Sequence, residues 1–135
     1  MTRFLLPLND AINMVLDNIN FSKQGDIFIK KSKSCSVETI AHALLKIFNK
    51  KNKIKYIGKR HGEKIHEVLA TSTEISNSRS FKDYFIIKMD GRDLNYKDYY
   101  VKGKKREIVK DFESNTAIQI SKKELDKILI KAVNE

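Results

Sequence analysis

Residues 7–29 read PLNDAINMVLDNINFSKQGDIFI, a helix pattern followed directly by a strand pattern. Pro7 suits the first turn of a helix, and apolar side chains then recur along one face at three- and four-residue spacing. Gly25 lies in a polar turn, after which a short apolar run is typical of a strand. The segment predicts a helix over 7–20, a strand over 27–29 and therefore an α/β fold.

The remaining segments continue this alternation. Ser36 is a suitable N-cap for an amphipathic helix that extends to Asn49. Ser121 and Glu124 form a capping-box pattern before a last helix that ends near Val133. The other predicted elements are strands over 54–58 and 81–89, a helix over 65–71 and a loop over 90–98.

Composition bounds the class of protein. The 135 residues are 41% hydrophobic and 33% charged, which is typical of one small globular domain or one lobe of a larger protein. The single cysteine, Cys35, excludes an intrachain disulfide and a cysteine-only metal cluster, and it favours a reducing compartment such as the cytoplasm. The apolar stretch 4–8 is too short for a signal peptide, and no run has the roughly 18 apolar residues of a membrane span.

The positive charge is concentrated in one segment. The formal net charge is +10, and residues 21–64 carry twelve basic and three acidic side chains. Such a segment attracts phosphates, so a polyanion-binding protein that uses 21–64 is an alternative function. Nucleic acid is not the favoured partner, because Lys outnumbers Arg by 22 to 5 and no zinc-finger, RNP-like or helix-turn-helix signature is present.

The unusual chemistry is concentrated in residues 60–64. Arg60 offers a planar fork of donors that suits a diphosphate, and the Glu63 carboxylate can accept hydrogen bonds from paired ribose hydroxyls. Gly62 lies between them and permits a tight backbone path. Taken alone, a charged turn of this kind is more typical of ordinary surface than of a binding site.

Other catalytic patterns are missing from the sequence. The five glycines are scattered, so there is no glycine-rich phosphate loop. His61 and His66 lack the H-E-x-x-H order of a zinc site, so no metal ligand is assigned. Tyr100 and Lys104 have the Tyr-x-x-x-Lys spacing but lie in a glycine-containing loop rather than on a long helix. No catalytic residue is therefore assigned.

Several separated motifs occur along the chain in a characteristic order. They are MTRF at 1–4, GDIF at 25–28, GKRHGEK at 58–64 with HE at 66–67, RDLNY at 92–96 and SNT at 114–116. Together they resemble the C-terminal part of extended short-chain dehydrogenase/reductases of capsular and O-antigen polysaccharide biosynthesis. These enzymes act as UDP-N-acetylglucosamine 4,6-dehydratases with 5-epimerase activity and are often labelled UDP-glucose 4-epimerase-like. After Thr116 the family tends to place an Arg-Leu pair, whereas this chain has Ala117 and Ile118.

The resemblance implies a fold and a set of roles. It implies the substrate-binding lobe of an extended short-chain dehydrogenase/reductase over 1–100, a small mixed sheet with helices, followed by the family's C-terminal tail and helix over 101–135. It implies that Arg60 binds the UDP diphosphate and that Glu63 binds the ribose, with Thr2 and Arg3 as further substrate contacts. Lys64, His66 and Glu67 are expected to support the site rather than to touch the ligand.

The resemblance also implies what this stretch of chain does not supply. Family enzymes bind NAD(P) on an N-terminal Rossmann domain, which we expect to be absent here together with the Tyr-x-x-x-Lys pair. We therefore expect a truncated or split UDP-sugar-binding part that does not turn over substrate alone. A separate chain that carries the Rossmann domain is its expected partner.

Overall fold

The computed structural model describes residues 1–89 and 109–134. Helices and short strands alternate along the chain, as expected for the α/β class. In chain order the elements are β1 (Thr2–Phe4), α1 (Leu8–Phe21), β2 (Ile27–Lys30), β3 (Ser34–Ser36), α2 (Val37–Ile47), β4 (Val68–Ala70), α3 (Ser72–Ser76), β5 (Ser78–Phe81), β6 (Tyr84–Ile87), β7 (Phe112–Glu113) and α4 (Lys122–Asn134).

The described strands form three small antiparallel sheets. β1 pairs with β3, so that Arg3 lies opposite Cys35. β2, β6 and β5 form a three-stranded sheet in that order, with Phe28 opposite Ile86. β4 pairs with β7, which joins the segment after the charged turn to the C-terminal part of the chain.

The main core lies on the three-stranded sheet. Phe28, Tyr84 and Ile86 are buried together, and Met14 of α1 packs against them. Tyr84 donates a hydrogen bond from its hydroxyl to the Asp17 carboxylate at 2.7 Å, so the same tyrosine anchors α1 through a polar contact. The rest of the apolar face of α1 stays exposed, with Leu8 66% and Ile19 73% accessible.

The predicted helix caps are present. The Ser36 hydroxyl accepts a hydrogen bond from the Thr39 amide at 3.0 Å at the start of α2. At the start of α4, the Ser121 hydroxyl accepts from the Glu124 amide at 3.3 Å, and the Glu124 carboxylate accepts from the Ser121 amide at 3.2 Å. Each cap satisfies amides that lack partners within the first turn of the helix, so α2 and α4 begin directly after their predicted caps. α1 begins after Pro7 with no side-chain cap hydrogen bond.

Two charged contacts hold α4 in place. The Lys33 ammonium, in the connection before β3, donates to the Glu124 carboxylate at 2.6 Å. The Lys46 ammonium of α2 donates to the Asp126 carboxylate at 3.0 Å. Leu125, which lies between Glu124 and Asp126 in the sequence, is fully buried. α4 is therefore attached both to α2 and to the segment that leads into β3.

Two predicted elements are wrong. Residues 54–58 form no strand, because their alternating side chains meet no partner strand. Residues 65–71 form no helix; the backbone is extended there and supplies β4, which pairs with β7. A non-local pairing of this kind overrides local helix propensity.

The predicted strand 81–89 is divided in the structure. Lys82 adopts a positive φ of 46°, and the chain reverses between β5 and β6 as a hairpin in which Phe81 pairs with Tyr84. The predicted loop 90–98 lies outside the described residues. The α/β class is confirmed, while the division into 1–100 and 101–135 stays a prediction.

Within residues 1–89 and 109–134, no helix combines the length and apolarity that a membrane-spanning helix needs.

Candidate functional site

The charged turn at 58–63 is held by hydrogen bonds between its own residues. The Arg60 carbonyl accepts a hydrogen bond from the Glu63 amide at 3.1 Å, and the Glu63 carboxylate accepts one from the Arg60 amide at 3.1 Å. Gly58 and Gly62 both have a φ of +76°, a left-handed conformation that residues with a Cβ adopt at a cost. The two glycines and the two reciprocal hydrogen bonds fix residues 58–63 as a tight turn.

The turn presents the Arg60 side chain outward. Arg60 is exposed, and its guanidinium makes no hydrogen bond or ion pair with any residue of 1–89 or 109–134. Five N–H donors in a planar fork are thus free to bind a doubly charged oxygen ligand. The role of Arg60 in binding a diphosphate stays a prediction.

Glu63 keeps acceptor capacity despite its role in the turn. One carboxylate oxygen accepts from the Arg60 amide, and the other lies 3.9 Å from the Arg3 guanidinium. A carboxylate has about four lone-pair sites, so hydroxyl donors can still bind to it. The side chain is 32% accessible, which leaves room for that contact.

Arg3 occupies the space between β1 and the charged turn. Its guanidinium donates to the Lys64 carbonyl at 3.0 Å and to the Ile65 carbonyl at 3.3 Å, and it also donates to the Thr2 carbonyl at 2.7 Å. Its Nε lies 3.5 Å from the Glu67 carboxylate. Arg3 is therefore brought to the predicted site, where its donors hold the backbone beside the turn.

Thr2 also belongs to β1, and its hydroxyl contacts residues of two other segments. Its hydroxyl is 2.8 Å from His66 Nδ1 and 2.7 Å from the Ser114 hydroxyl. His66 thus contacts Thr2, and Glu67 contacts Arg3, while their role in supporting a substrate site stays a prediction. The structure brings Thr2, Arg3 and Glu63 into one contact network and places Arg60 at its exposed end.

Ser114 is the residue that sequence reasoning missed. The Ser-Asn-Thr motif was identified at 114–116, but no role was assigned to its serine. In the structure Ser114 is fully buried, and its carbonyl accepts from the Ser34 hydroxyl at 2.6 Å. The available signal was the place of Ser114 in one of the motifs that carry the family resemblance.

The other singled-out side chains take no part in this network. His42 lies 3.9 Å from the Glu38 carboxylate on the exposed side of α2. Cys35 is buried in β3, and desolvation raises the pKa of its thiol, which disfavours the reactive thiolate. In the part of the chain that the structure describes, no three His, Cys, Asp or Glu side chains cluster as a metal site would need.

The glycines within residues 1–89 and 109–134 do not form the glycine-rich turn that holds NAD(P). A dinucleotide cradle places closely spaced glycines between a strand and a helix N-terminus. Gly25 precedes β2, and Gly58 and Gly62 lie in the charged turn, so none of these three begins a helix. The Tyr100 and Lys104 pair and the motif at 92–96 lie outside the described residues.

A basic and partly apolar groove lies at the end of α2. Lys50 and Lys53 border an open groove of about 410 Å³ against the C-terminal half of α2, lined by Leu44, Leu45 and Phe48. Within residues 1–89 and 109–134, Lys50 and Lys53 form no ion pair, whereas Lys33 and Lys46 do. Basic side chains therefore recur along the sequence from the end of α2 to Arg60.

Comparison with known proteins supports the resemblance. The family described as "Polysaccharide biosynthesis protein" matches residues 1–89. Proteins named "UDP-glucose 4-epimerase" from Rickettsia rickettsii and Rickettsia bellii are each 43% identical over 131 residues, or 96% of this chain and 38% of theirs.

A solved structure has the same fold. "X-ray structure of Pen from Bacillus thuringiensis" superposes with a TM-score of 0.74 at 28% identity and covers 97% of this chain and 38% of that one. The chain thus spans well under half the length of the curated relatives it matches. Since the family match covers most of its residues, the chain belongs to the polysaccharide biosynthesis protein family.

Proposed function

We propose that this chain is the UDP-sugar-binding part of a nucleotide-sugar epimerase or 4,6-dehydratase of surface polysaccharide biosynthesis. The observation that carries the proposal is the exposed Arg60 guanidinium, which has no partner among the described residues and stands on a turn fixed by Glu63. Relatives named UDP-glucose 4-epimerase support a UDP-sugar as the ligand.

Each proposed contact matches the chemistry of its side chain. Arg60 binds the diphosphate with paired, charge-assisted hydrogen bonds, and Glu63 accepts hydrogen bonds from the ribose hydroxyls. Thr2 and Arg3 of β1 complete the site. They either contact the ligand directly or act through the backbone carbonyls to which Arg3 donates. The net positive charge of segment 21–64, which contains the turn, favours a negatively charged ligand.

The chain by itself performs no hydride transfer in this proposal. That step needs NAD(P), for which the described residues offer no cradle, and we propose that a Rossmann domain outside these residues or on a separate chain supplies it. We also propose a cytoplasmic location, because a reducing compartment suits the single buried thiol of Cys35.

Titration calorimetry of the full 135-residue chain tests the proposal. UDP, UDP-glucose and UDP-N-acetylglucosamine should each bind saturably, and uridine, which lacks the diphosphate, should bind about tenfold more weakly or worse. Comparison of the two sugars identifies the preferred substrate. If none of the three UDP ligands binds to the folded chain, the proposal is wrong.

A second candidate function is polyanion binding by the basic segment 21–64. The observation that favours it is the set of lysines around 50–53 that make no ion pair within the described residues. A DNA duplex of random sequence, titrated at two salt concentrations, tests it. Binding that weakens steeply with salt, together with no response to UDP, would favour this candidate over the first.

A further inference from the structure

One buried serine connects three separate parts of the chain. The Ser114 hydroxyl lies 2.7 Å from the Thr2 hydroxyl of β1 and accepts a hydrogen bond from the Glu67 amide at 2.9 Å. The Ser114 amide donates to the Glu67 carbonyl at 2.8 Å, and its carbonyl accepts from the Ser34 hydroxyl of β3 at 2.6 Å. Ser114 therefore binds both the amide and the carbonyl of Glu67 and fixes the backbone there.

Glu67 carries this restraint to β1. One oxygen of its carboxylate lies 3.5 Å from the Arg3 Nε, and the other accepts a hydrogen bond from the Phe4 amide at 3.3 Å. Because Ser114 holds the backbone of Glu67, it also limits where that carboxylate can stand. The position of the Arg3 guanidinium depends on that carboxylate in turn.

Arg3 connects the restraint to the charged turn. It donates to the Lys64 carbonyl at 3.0 Å, directly after the turn, and lies 3.9 Å from the Glu63 carboxylate that accepts from the Arg60 amide. A continuous series of contacts thus runs from Ser114 through Glu67 and Arg3 to the turn. The end at Ser114 is fully buried, while the end at Arg60 is exposed.

We propose that Ser114 is a positioning residue that holds the Arg60 to Glu63 turn in its binding geometry through Glu67 and Arg3. Partly exposed ion pairs such as those of Arg3 are individually weak and do not fix a turn by themselves. The Ser114 hydroxyl is fully buried, and its loss leaves the Glu67 amide without its hydrogen-bond partner. The consequence for nucleotide binding rests on the proposed function, but the effect on the turn does not.

Amide exchange measured by NMR tests the positioning role without a ligand. In Ser114→Ala, the Arg60 and Glu63 amides should exchange about five to ten times faster than in the unmodified chain. Thr116→Ala is the matched control, because the Thr116 hydroxyl donates only to the Glu113 carbonyl within the same local turn. The Phe48 amide, bonded to the Leu44 carbonyl at the end of α2, should keep its rate in both variants and reports on global stability.

A second pair of variants keeps the test decisive if Ser114→Ala does not fold. Glu67→Gln leaves the buried hydroxyl in place but weakens the contact with Arg3, so it should also accelerate exchange at Arg60 and Glu63. Ser114→Thr keeps the hydroxyl and should restore most of the protection. Unchanged exchange at the turn in folded Ser114→Ala, or in Glu67→Gln, would overturn the proposal.

The same variants separate this inference from the proposed function. If the unmodified chain binds UDP, Ser114→Ala should bind it about fivefold more weakly while Thr116→Ala binds it normally. Equal affinity in Ser114→Ala would overturn the positioning role. If the unmodified chain does not bind UDP, the proposed function fails, and the exchange rates at the turn still decide the role of Ser114.

Discussion

Arg60 and Glu63 hold each other through two reciprocal hydrogen bonds, each 3.1 Å long, one from the Glu63 amide to the Arg60 carbonyl and one from the Arg60 amide to the Glu63 carboxylate. The backbone of the turn is therefore restrained while the Arg60 guanidinium stays exposed. A restrained turn that presents a free charged group loses little conformational freedom when a ligand binds. This relationship is the structural basis of the proposed UDP site.

Gly25 and Gly58 offer a matched test of backbone geometry. Both have a left-handed φ, +83° and +76° respectively, but a Cβ on Gly25 would lie 2.7 Å from the Met89 Cβ, whereas a Cβ on Gly58 would meet nothing within 4 Å. Gly58→Ala should lower the free energy of unfolding by about 1–2 kcal/mol from the φ strain. Gly25→Ala should lower it by about 2–5 kcal/mol, because the collision with Met89 adds to that strain. Urea unfolding measures both variants, and equal losses would contradict this reading of the turn before β2.

Tyr84 should make the stability of the fold sensitive to alkali. Burial, followed by its hydrogen bond to Asp17, raises the pKa of Tyr84 from an ordinary value of 10.0 to about 12. The folded state therefore favours the neutral phenol, and the stability it contributes is complete below pH 10 and lost as the pH rises towards 12.

Tyr84→Phe should flatten this alkaline loss and cost about 1 kcal/mol at neutral pH through the missing hydrogen bond. Unfolding measured across the alkaline range, with phenolate absorbance recorded in parallel, checks the prediction. The absorbance titration of the variant should lack the ionisation step near pH 12 that belongs to Tyr84. A variant with the same alkaline profile as the unmodified chain would contradict the assignment.

Glu124 should make the attachment of α4 sensitive to acid. The hydrogen bond from Lys33, followed by the bonds from Ser121, lowers the pKa of the Glu124 carboxyl from an ordinary value of 4.5 to about 2. Because the folded state favours the charged form, the stability it contributes is present above pH 4.5 and lost as the pH falls towards 2.

Glu124→Gln should lose less stability across that acidic window than the unmodified chain does. Lys33→Met removes the other partner of this contact, and its stability should likewise change less between pH 5 and pH 2.5. Unfolding by urea at a series of pH values between 5 and 2.5 measures the difference. Parallel profiles for all three proteins would show that the contact between Lys33 and Glu124 is not what sets the pKa.

The long helices were predictable because their signals are local. The spacing of apolar side chains in 7–20 and the caps at Ser36 and Ser121 need only nearby residues to act, and α1, α2 and α4 begin within about one residue of the predicted starts. The short strands depended on partners far along the chain. β4 forms because β7 is available to pair with it, and residues 54–58 stay irregular because no described strand pairs with them.

The candidate site was predictable only in part for the same reason. Arg60 and Glu63 are close in sequence, so the turn that they build could be anticipated from the residues between them. The contacts of Thr2 with His66 and with Ser114 join residues 64 and 112 positions apart, and no spacing rule indicates them. The resemblance singled out these segments, and the fold shows which contacts join them.

The most direct test of the central claim is the UDP affinity of Arg60→Ala beside that of Lys59→Ala, measured by titration calorimetry on the full chain. Both changes remove one exposed positive charge from neighbouring positions of the same segment. The account predicts that Arg60→Ala loses about tenfold or more in affinity for UDP, because a charge-assisted contact with the diphosphate is lost, while Lys59→Ala loses little. Equal affinity of Arg60→Ala and the unmodified chain, or equal losses in both variants, would contradict it.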